Sequence, residues 1–312
     1  MYRFRFILTR PLQLIPVLFG ISFVSFVLIH LIPGDPARIL LGAKATPSAI
    51  AAIHEKFGLD KPILLQYVYF LGNLMQGELG RSILYRSPVF AVVIGRIAPT
   101  IWLIGFAVLI SIVVSTILAS IAAIRQGGVV DQAIRLFSTI GLGFPAFWLG
   151  IVFMMAFSVG FHWFPVSGYG DDFWDHLHHL CLPAVTLALS LIPVITRNLR
   201  ASLIAENTAD YVTAARAKGV PAYAIFTHHV FRNSLLPTIS LLGVNVGWMI
   251  GGTVVVESVF SVPGLGQLMV SSIFARDYLV VQAVTLVLSL GVVLTNFGVD
   301  ILTVLLDPRV SV

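Results

Sequence analysis

Six apolar runs constrain this chain more than any other feature, because each is long enough to cross about 30 Å of hydrocarbon as roughly 20 residues of helix. They fall at about 11–32, 99–124, 137–160, 180–196, 235–257 and 280–306. In lipid a helix satisfies its own N–H and C=O groups, so the runs predict an all-α integral membrane protein with six transmembrane helices. Composition agrees. Hydrophobic residues make up 58% of the 312 and charged residues only 11%, against about 25% charged in an ordinary soluble domain. The fourth run carries Pro183 and Pro193 and has the least defined limits.

Basic residues orient the runs. Arg3, Arg5 and Arg10 precede the first, which places the N-terminus in the cytoplasm by the positive-inside rule. Counting alternately, Arg125 and Arg135, then Arg197, Arg200, Arg216, Lys218 and Arg232, and finally Arg309 also fall inside. The two short outer loops hold Arg276 as their only Lys or Arg. The first outer loop, about 33–98, includes Arg38, Lys44 and Arg81, and loops of that length cross with little regard to charge. Both termini are therefore expected in the cytoplasm. The net charge of +5 reads as topology and lipid-headgroup contact, with no nucleic-acid partner. The first apolar run reaches Ile32 and ends in Pro33-Gly34-Asp35, longer than a signal-peptide core and without a small-residue cleavage site, so it is expected to remain as a span. The single cysteine, Cys181, excludes an intrachain disulfide and a cysteine-based metal site.

The chain thus divides into residues 1–98, an N-terminal span with a long outer loop; residues 99–306, a five-helix core; and a cytoplasmic tail at 307–312. The outer loop is expected to be partly helical. Thr46-Pro47 has the form of an N-cap followed by proline at the first helical position, with Gly58 as the stop. Asp60, Pro62 and Gly72 frame a second helix. On it Ile63, Tyr67, Phe70, Leu71 and Leu74 recur at helical spacing, an apolar face for headgroups, the helix bundle or a docking protein.

Gly243, Gly247 and Gly251 recur every four residues along the fifth span, a face on which a neighbouring helix, in this chain or a second subunit, can approach closely. Gly141, Gly143 and Pro145 interrupt the start of the third span and Pro193 the end of the fourth, as hinges or as ordinary bends. Two carboxylates fall within spans: Glu257 near the outer face of the fifth and Asp300 toward the inner end of the sixth. Such groups pair, cap or line a translocation pathway. His176, His178 and His179 follow Asp171, Asp172 and Asp175 in an outer loop. Imidazole and carboxylate suit a divalent metal, but the run has no fixed ligand spacing and sits at the polar approach to a span, so it reads as a solvated interfacial loop and no metal site is assigned. His228 and His229 fall in an amphipathic cytoplasmic stretch with Phe226, Val230 and Phe231.

Between the fourth and fifth runs, within a cytoplasmic loop at about 197–233, lies Asp210-Tyr211-Val212-Thr213-Ala214-Ala215-Arg216-Ala217-Lys218-Gly219. It is a basic, polar island, expected in water on one face of the bilayer. A small-residue helix carrying Ala214, Ala215 and Ala217 and broken by Gly219 has the shape of a knob for another protein. The chain has no phosphate loop of the G-x-x-x-x-G-K-[ST] type, no H-E-x-x-H and no G-x-S-x-G. No nucleophile with its base, and no carboxylate pair at matched depth, stands out. It is expected to be no enzyme, with no catalytic residue and no cofactor of its own.

From end to end the chain resembles the permease subunits of the dipeptide, oligopeptide, glutathione and nickel branch of ABC importers. The resemblance rests on His30-Leu31-Ile32-Pro33-Gly34-Asp35-Pro36-Ala37-Arg38, on Gly77-Glu78-Leu79-Gly80-Arg81-Ser82, and on Tyr211 with Ala214 through Gly219. Arg232-Asn233, Leu236-Pro237, Pro263-Gly264-Leu265-Gly266 and Asp307-Pro308-Arg309 complete it. Thr213 stands where the superfamily's coupling loop carries Glu, and the Leu-Pro comes later after the glycine. The resemblance implies a type I importer fold and a coupling loop at Tyr211, Thr213, Ala214, Ala215, Arg216, Ala217, Lys218 and Gly219. It implies a second, homologous permease, two ATPase subunits that bind ATP and Mg, and an extracytoplasmic binding protein. It also implies a bacterial inner membrane and short peptides, glutathione included, as cargo, with a nickel complex as the alternative. A proton-coupled secondary carrier would need a midplane ionisable site and inverted repeats, neither of which the sequence displays.

Overall fold

The computed structural model describes residues 2–30, 41, 45–57 and 60–306. The resembling segments at 31–38 and 307–309, the stop at Gly58 and the tail at 307–312 lie outside the described residues. Every regular element described is helical; an isolated bridge pairs Arg81 with Pro88. In chain order the helices are α1 (Tyr2–His30), α2 (Pro47–Phe57), α3 (Ile63–Met75), α4 (Val89–Ile124), α5 (Val129–Gly141) and α6 (Ala146–Phe153). They continue with α7 (Phe173–Asn207), α8 (Asp210–Ala217), α9 (Ala222–Ile225), α10 (Arg232–Val259), α11 (Leu265–Phe274) and α12 (Tyr278–Leu306). A π-helical stretch extends α6 over Met154–Gly160, and another joins α9 to α10 over Phe226–Phe231.

Among the described residues four helical segments are long and apolar enough to cross a membrane: Val89–Ile124, Phe173–Asn207, Ala222–Val259 and Tyr278–Val304. A fifth results if α5 and α6 with its extension are one span, bent by 104° at the break. That break falls at Gly141–Pro145, where the sequence places it. Pro193 breaks nothing: α7 runs unbroken through both of its prolines. The expected limits 180–196 are therefore too short. Neighbouring helices re-satisfy the backbone groups that an intramembrane proline frees, and a Cβ on Gly141 would sit 3.2 Å from the Pro193 ring. The second span likewise begins ten residues before the expected 99, with Pro99 inside it.

The chain forms two compact units. The first comprises Arg3–Thr100 and Pro263–Val293. Thr46 caps α2 as expected, its Oγ1 accepting from Ala49 N at 3.3 Å. The helix α3 starts after Pro62 but runs past Gly72 to Met75, so Gly72 does not end it. Tyr67 and Phe70 pack against Phe26 of α1 at ring distances of 5.5 and 5.7 Å, which uses two of the five residues of the predicted apolar face; Ile63 stays exposed. The stretch after α3 turns at Gly77 and Gly80, both at positive φ, and a side chain at Gly80 would meet Leu279. Leu79 and Leu265, from two distant motifs, share one core with Val89, Leu268 and Val284. Asp277, fully buried before α12, locks this region. Its Oδ2 accepts from Ser82 Oγ at 2.5 Å and from Leu84 N at 3.0 Å.

The second unit comprises Ile101–Val262 and, among the described residues, 294–306. Its axis is α7. Of the apolar window of that segment 67% is buried, against 22–28% for the other three, because α5, α6 and α10 all pack on it. Leu180, Leu187, Leu191 and Ile195 of α7 form the core with Leu103, Met249 and Phe260.

Candidate coupling surface

Asp210–Ala217 folds as the helix read from the sequence, and Gly219 terminates it at φ +75°. Val220 N donates to Ala215 O at 3.2 Å and Gly219 N to Arg216 O at 3.0 Å. This is the pair of bonds that closes a helix on a left-handed residue, and glycine takes that conformation without a Cβ penalty. Val220 and Ala215 also meet in one apolar cluster, the hydrophobic contact that accompanies such a cap.

The helix has two faces. Val212 is completely buried, with Ala215 beside it, against Leu199 and Leu203 of α7, Ala119 of α4, Ile225 and Val230. Thr213, Ala214, Ala217, Lys218 and Gly219 are exposed. The outward surface is thus flat, small-sided and basic at its end, and no atom lies within 4 Å of where a Gly219 side chain would begin.

Polar ties hold the helix to its neighbours. Tyr211 Oη donates to Glu206 Oε2 at 2.5 Å and accepts from Asn233 Nδ2 at 3.0 Å, joining α8 to α7 and α10. Partial burial, and then the bond to Glu206, raise the Tyr211 phenol above its ordinary range. Arg216 turns back, Nη2 to Asn207 Oδ1 at 2.6 Å. Of the two cations read as part of a docking loop, Arg216 braces the loop and Lys218 stands clear. Below this seat, Arg200 of α7 forks onto Asp131 of α5, Nε to Oδ1 and Nη2 to Oδ2, both at 2.6 Å. Asp131 is completely buried and also accepts from Gly127 N at 2.9 Å. Sequence reasoning missed this pair, since 69 residues separate its members and neither belongs to a motif.

The other residues singled out scatter. A side chain at Gly243 would collide with Val299 of α12, so this glycine serves close packing inside the chain. Gly251 is exposed with nothing near it, and Gly247 is half-buried. Glu257 is fully buried near the end of α10, and Asp300 is half-buried on α12. Because Val299 packs at Gly243, fourteen residues of α10, about 20 Å, separate the level of Asp300 from Glu257. The structure does not bring the two carboxylates together. The expected outer loop at Asp171–His179 is mostly helix: α7 begins at Phe173, so Asp175, His176, His178 and His179 lie in its first two turns, and Asp172 caps it by accepting from Asp175 N at 2.9 Å. His176, His178 and His179 each pair a ring nitrogen with a backbone carbonyl, of Tyr169, Trp163 and Asp175, at 2.8–2.9 Å. Those bonds tie the first turns of α7 to its own backbone and to the chain before it, and among the described residues no group of three or more His, Cys, Asp or Glu could hold a metal. His228 and His229 are exposed; His229 lies edge-on to the Tyr211 ring at 6.3 Å.

Comparison with known proteins agrees with this architecture. Residues 115–312 match the family described as binding-protein-dependent transport system inner membrane component, and residues 3–103 match the N-terminal model of the same kind of membrane component. The oligopeptide transport system permease protein AppB of Bacillus subtilis (strain 168) is 37% identical over 312 residues, covering 98% of this chain and 99% of the relative. The glutathione transport system permease protein GsiC of Escherichia coli (strain K12) is 36% identical over 305 residues, covering 98% of each. Helices of membrane-crossing length, an exposed helix seated between two of them and matches over nearly the whole chain agree, and the protein belongs to the family of inner membrane components of binding-protein-dependent transport systems.

Proposed function

We propose that this chain is the permease subunit of an ATP-driven importer that moves short peptides, of oligopeptide or glutathione type, across the bacterial inner membrane. In this reading the chain crosses the bilayer six times with both termini in the cytoplasm. Residues 1–98 supply the first span and outer loop, and residues 99–306 the core. A second, homologous permease completes the pathway, two ATPase subunits bind ATP and Mg below, and an extracytoplasmic binding protein delivers cargo above. The names of the relatives support the cargo class.

The observation that carries the reading is the division of α8 into a packed face at Val212 and an open face at Ala214, Ala217 and Lys218. A helix clamped on one side to α4, α7 and α10 moves with them, so force applied to its open side by an ATPase reaches the spans as a rigid-element shift. Tyr211, Thr213, Ala214, Ala215, Arg216, Ala217, Lys218 and Gly219 form that surface or brace it. Gly251, exposed on α10, offers a close-approach site to the second permease.

The test is peptide uptake into proteoliposomes holding the full assembly. The wild type accumulates labelled di- to pentapeptides or glutathione only with ATP. Gly219→Val forces a β-branched residue to φ +75°, where such residues are outliers, and abolishes uptake while the assembly still hydrolyses ATP. Undiminished ATP-driven uptake by Gly219→Val defeats the coupling role, and uptake driven by a proton gradient without ATP defeats the importer reading.

A further inference from the structure

The helix α5 has three faces, and coupling uses only one of them. At about 100° per residue, Asp131, Ile134 and Ser138 fall on one stripe, and all three are buried in the packing of α5 on α7. Val129, Ala133, Leu136, Phe137 and Ile140 fall on a second stripe, all exposed, Val129 by 83% and Leu136 by 61%. Gln132, Arg135 and Thr139 fall on a third, also exposed. A helix inside a bundle has no use for an outward stripe of Val, Leu, Phe and Ile, and a helix in water does not tolerate one beside a polar stripe. A helix at a water–lipid boundary needs both.

Three observations name the lipid as the occupant. The axis of α5 is turned 104° from that of α6 with its extension; if the latter crosses the bilayer, α5 runs close to the membrane plane. At the turn, Phe144 and Trp148 stack at 5.0 Å and are both exposed, the placement of aromatics at headgroup level. Around the helix stand the exposed guanidinium groups of Arg125, Arg135 and Arg197, on the side that the basic residues mark as cytoplasmic, where lipid phosphates and anionic headgroups lie. We propose that α5 is an interfacial helix docked on the inner leaflet, with Val129, Leu136, Phe137 and Ile140 among the acyl chains and Arg125, Arg135 and Arg197 at the headgroups. The Asp131–Arg200 fork then ties the turn of α7 that seats the coupling helix to the membrane surface.

The experiment is nitroxide scanning of the assembled complex in nanodiscs containing phosphatidylglycerol. Single cysteines are placed at 132, 135, 136, 137, 139 and 140 in a Cys181→Ser background, all at exposed sites where a label leaves packing intact. Oxygen, which concentrates in hydrocarbon, should collide most with labels at 136, 137 and 140. A water-soluble nickel chelate should collide most with those at 132, 135 and 139. Preference for nickel at 136 and 140 overturns the proposal by placing the stripe in water. Protection from both reagents overturns it in favour of a protein partner. A second arm replaces phosphatidylglycerol with phosphatidylcholine and pairs Arg125→Gln with Arg135→Gln. Each change should make the labels at 136 and 140 shallower, and an unchanged depth in both overturns the headgroup assignment.

Discussion

Two buried aspartates do the same mechanical job in different electrostatic ways. Asp131 joins α5 to α7 across 69 residues of sequence through a two-point bond to a guanidinium. Asp277 joins the start of α12 to the turn after α3 across 195 residues, through a serine hydroxyl and one backbone N–H on the same oxygen. Its other oxygen, Oδ1, receives no hydrogen bond. The charged tie takes the Asp131 carboxylate out of water while Arg200 stays partly exposed and Arg135 stands 3.9 Å from the same carboxylate, so removing either member of the fork still costs more than the net worth of the pair. The tie made to uncharged donors keeps both of its bonds when its carboxylate is made an amide and leaves no opposite charge behind, the cost being an amide NH2 group at the buried, unpartnered Oδ1 position. One is brittle and specific, the other tolerant.

The contrast sets an order of effects. Asp131→Asn leaves Arg200 without its counter-charge and should lower stability by about 3 kcal/mol, the low end for a broken buried pair because Arg200 keeps some contact with solvent. It would be read as loss of folded, monodisperse protein or a large fall in melting temperature in detergent. Adding Arg200→Gln should recover much of the loss, and failure to recover it would mean that the cost lies in geometry and not in charge. Ser82→Ala comes next. It deletes one donor to a buried carboxylate, about 1.5–3 kcal/mol, and loosens the turn that Ser82 holds by accepting from Tyr85 N at 2.8 Å. Its thermal shift should fall between those of the two aspartate variants. Asp277→Asn should have the smallest effect, about 1 kcal/mol, because the amide oxygen can take the place of Oδ2 and keep both donors. If Asp277→Asn is as damaging as Asp131→Asn, the two ties are equivalent and the charge of Asp277 is itself required.

The parts of this chain legible in its sequence are those governed by local chemistry. Apolar length announced four of the expected spans, and a fifth if the bent pair is one, though not their limits. Thr46-Pro47 announced the start of α2, and Gly219 the end of α8, since a cap and a left-handed turn depend on neighbours in the chain. Prolines misled wherever tertiary partners decide their effect: Pro193 looks like an end and lies inside a 35-residue helix. The glycine stripe divides for the same reason, Gly243 meeting Val299 while Gly251 meets nothing. The histidines in the first turns of α7 show the limit on chemistry, because ligand-like residue types are bound there to backbone carbonyls.

By itself, then, the sequence determined that this protein is embedded in a membrane, that apolar helices build it, which exposed helix stands between them, and to which family it is similar. Those follow from solvent transfer and backbone conformation, which act residue by residue. Only the tertiary structure decided that α7 is the buried axis, that Arg216 braces and does not reach outward, and that Asp131 finds Arg200 and Asp277 finds Ser82. Contacts across 69 and 195 residues depend on where whole helices come to rest, and no local pattern records that.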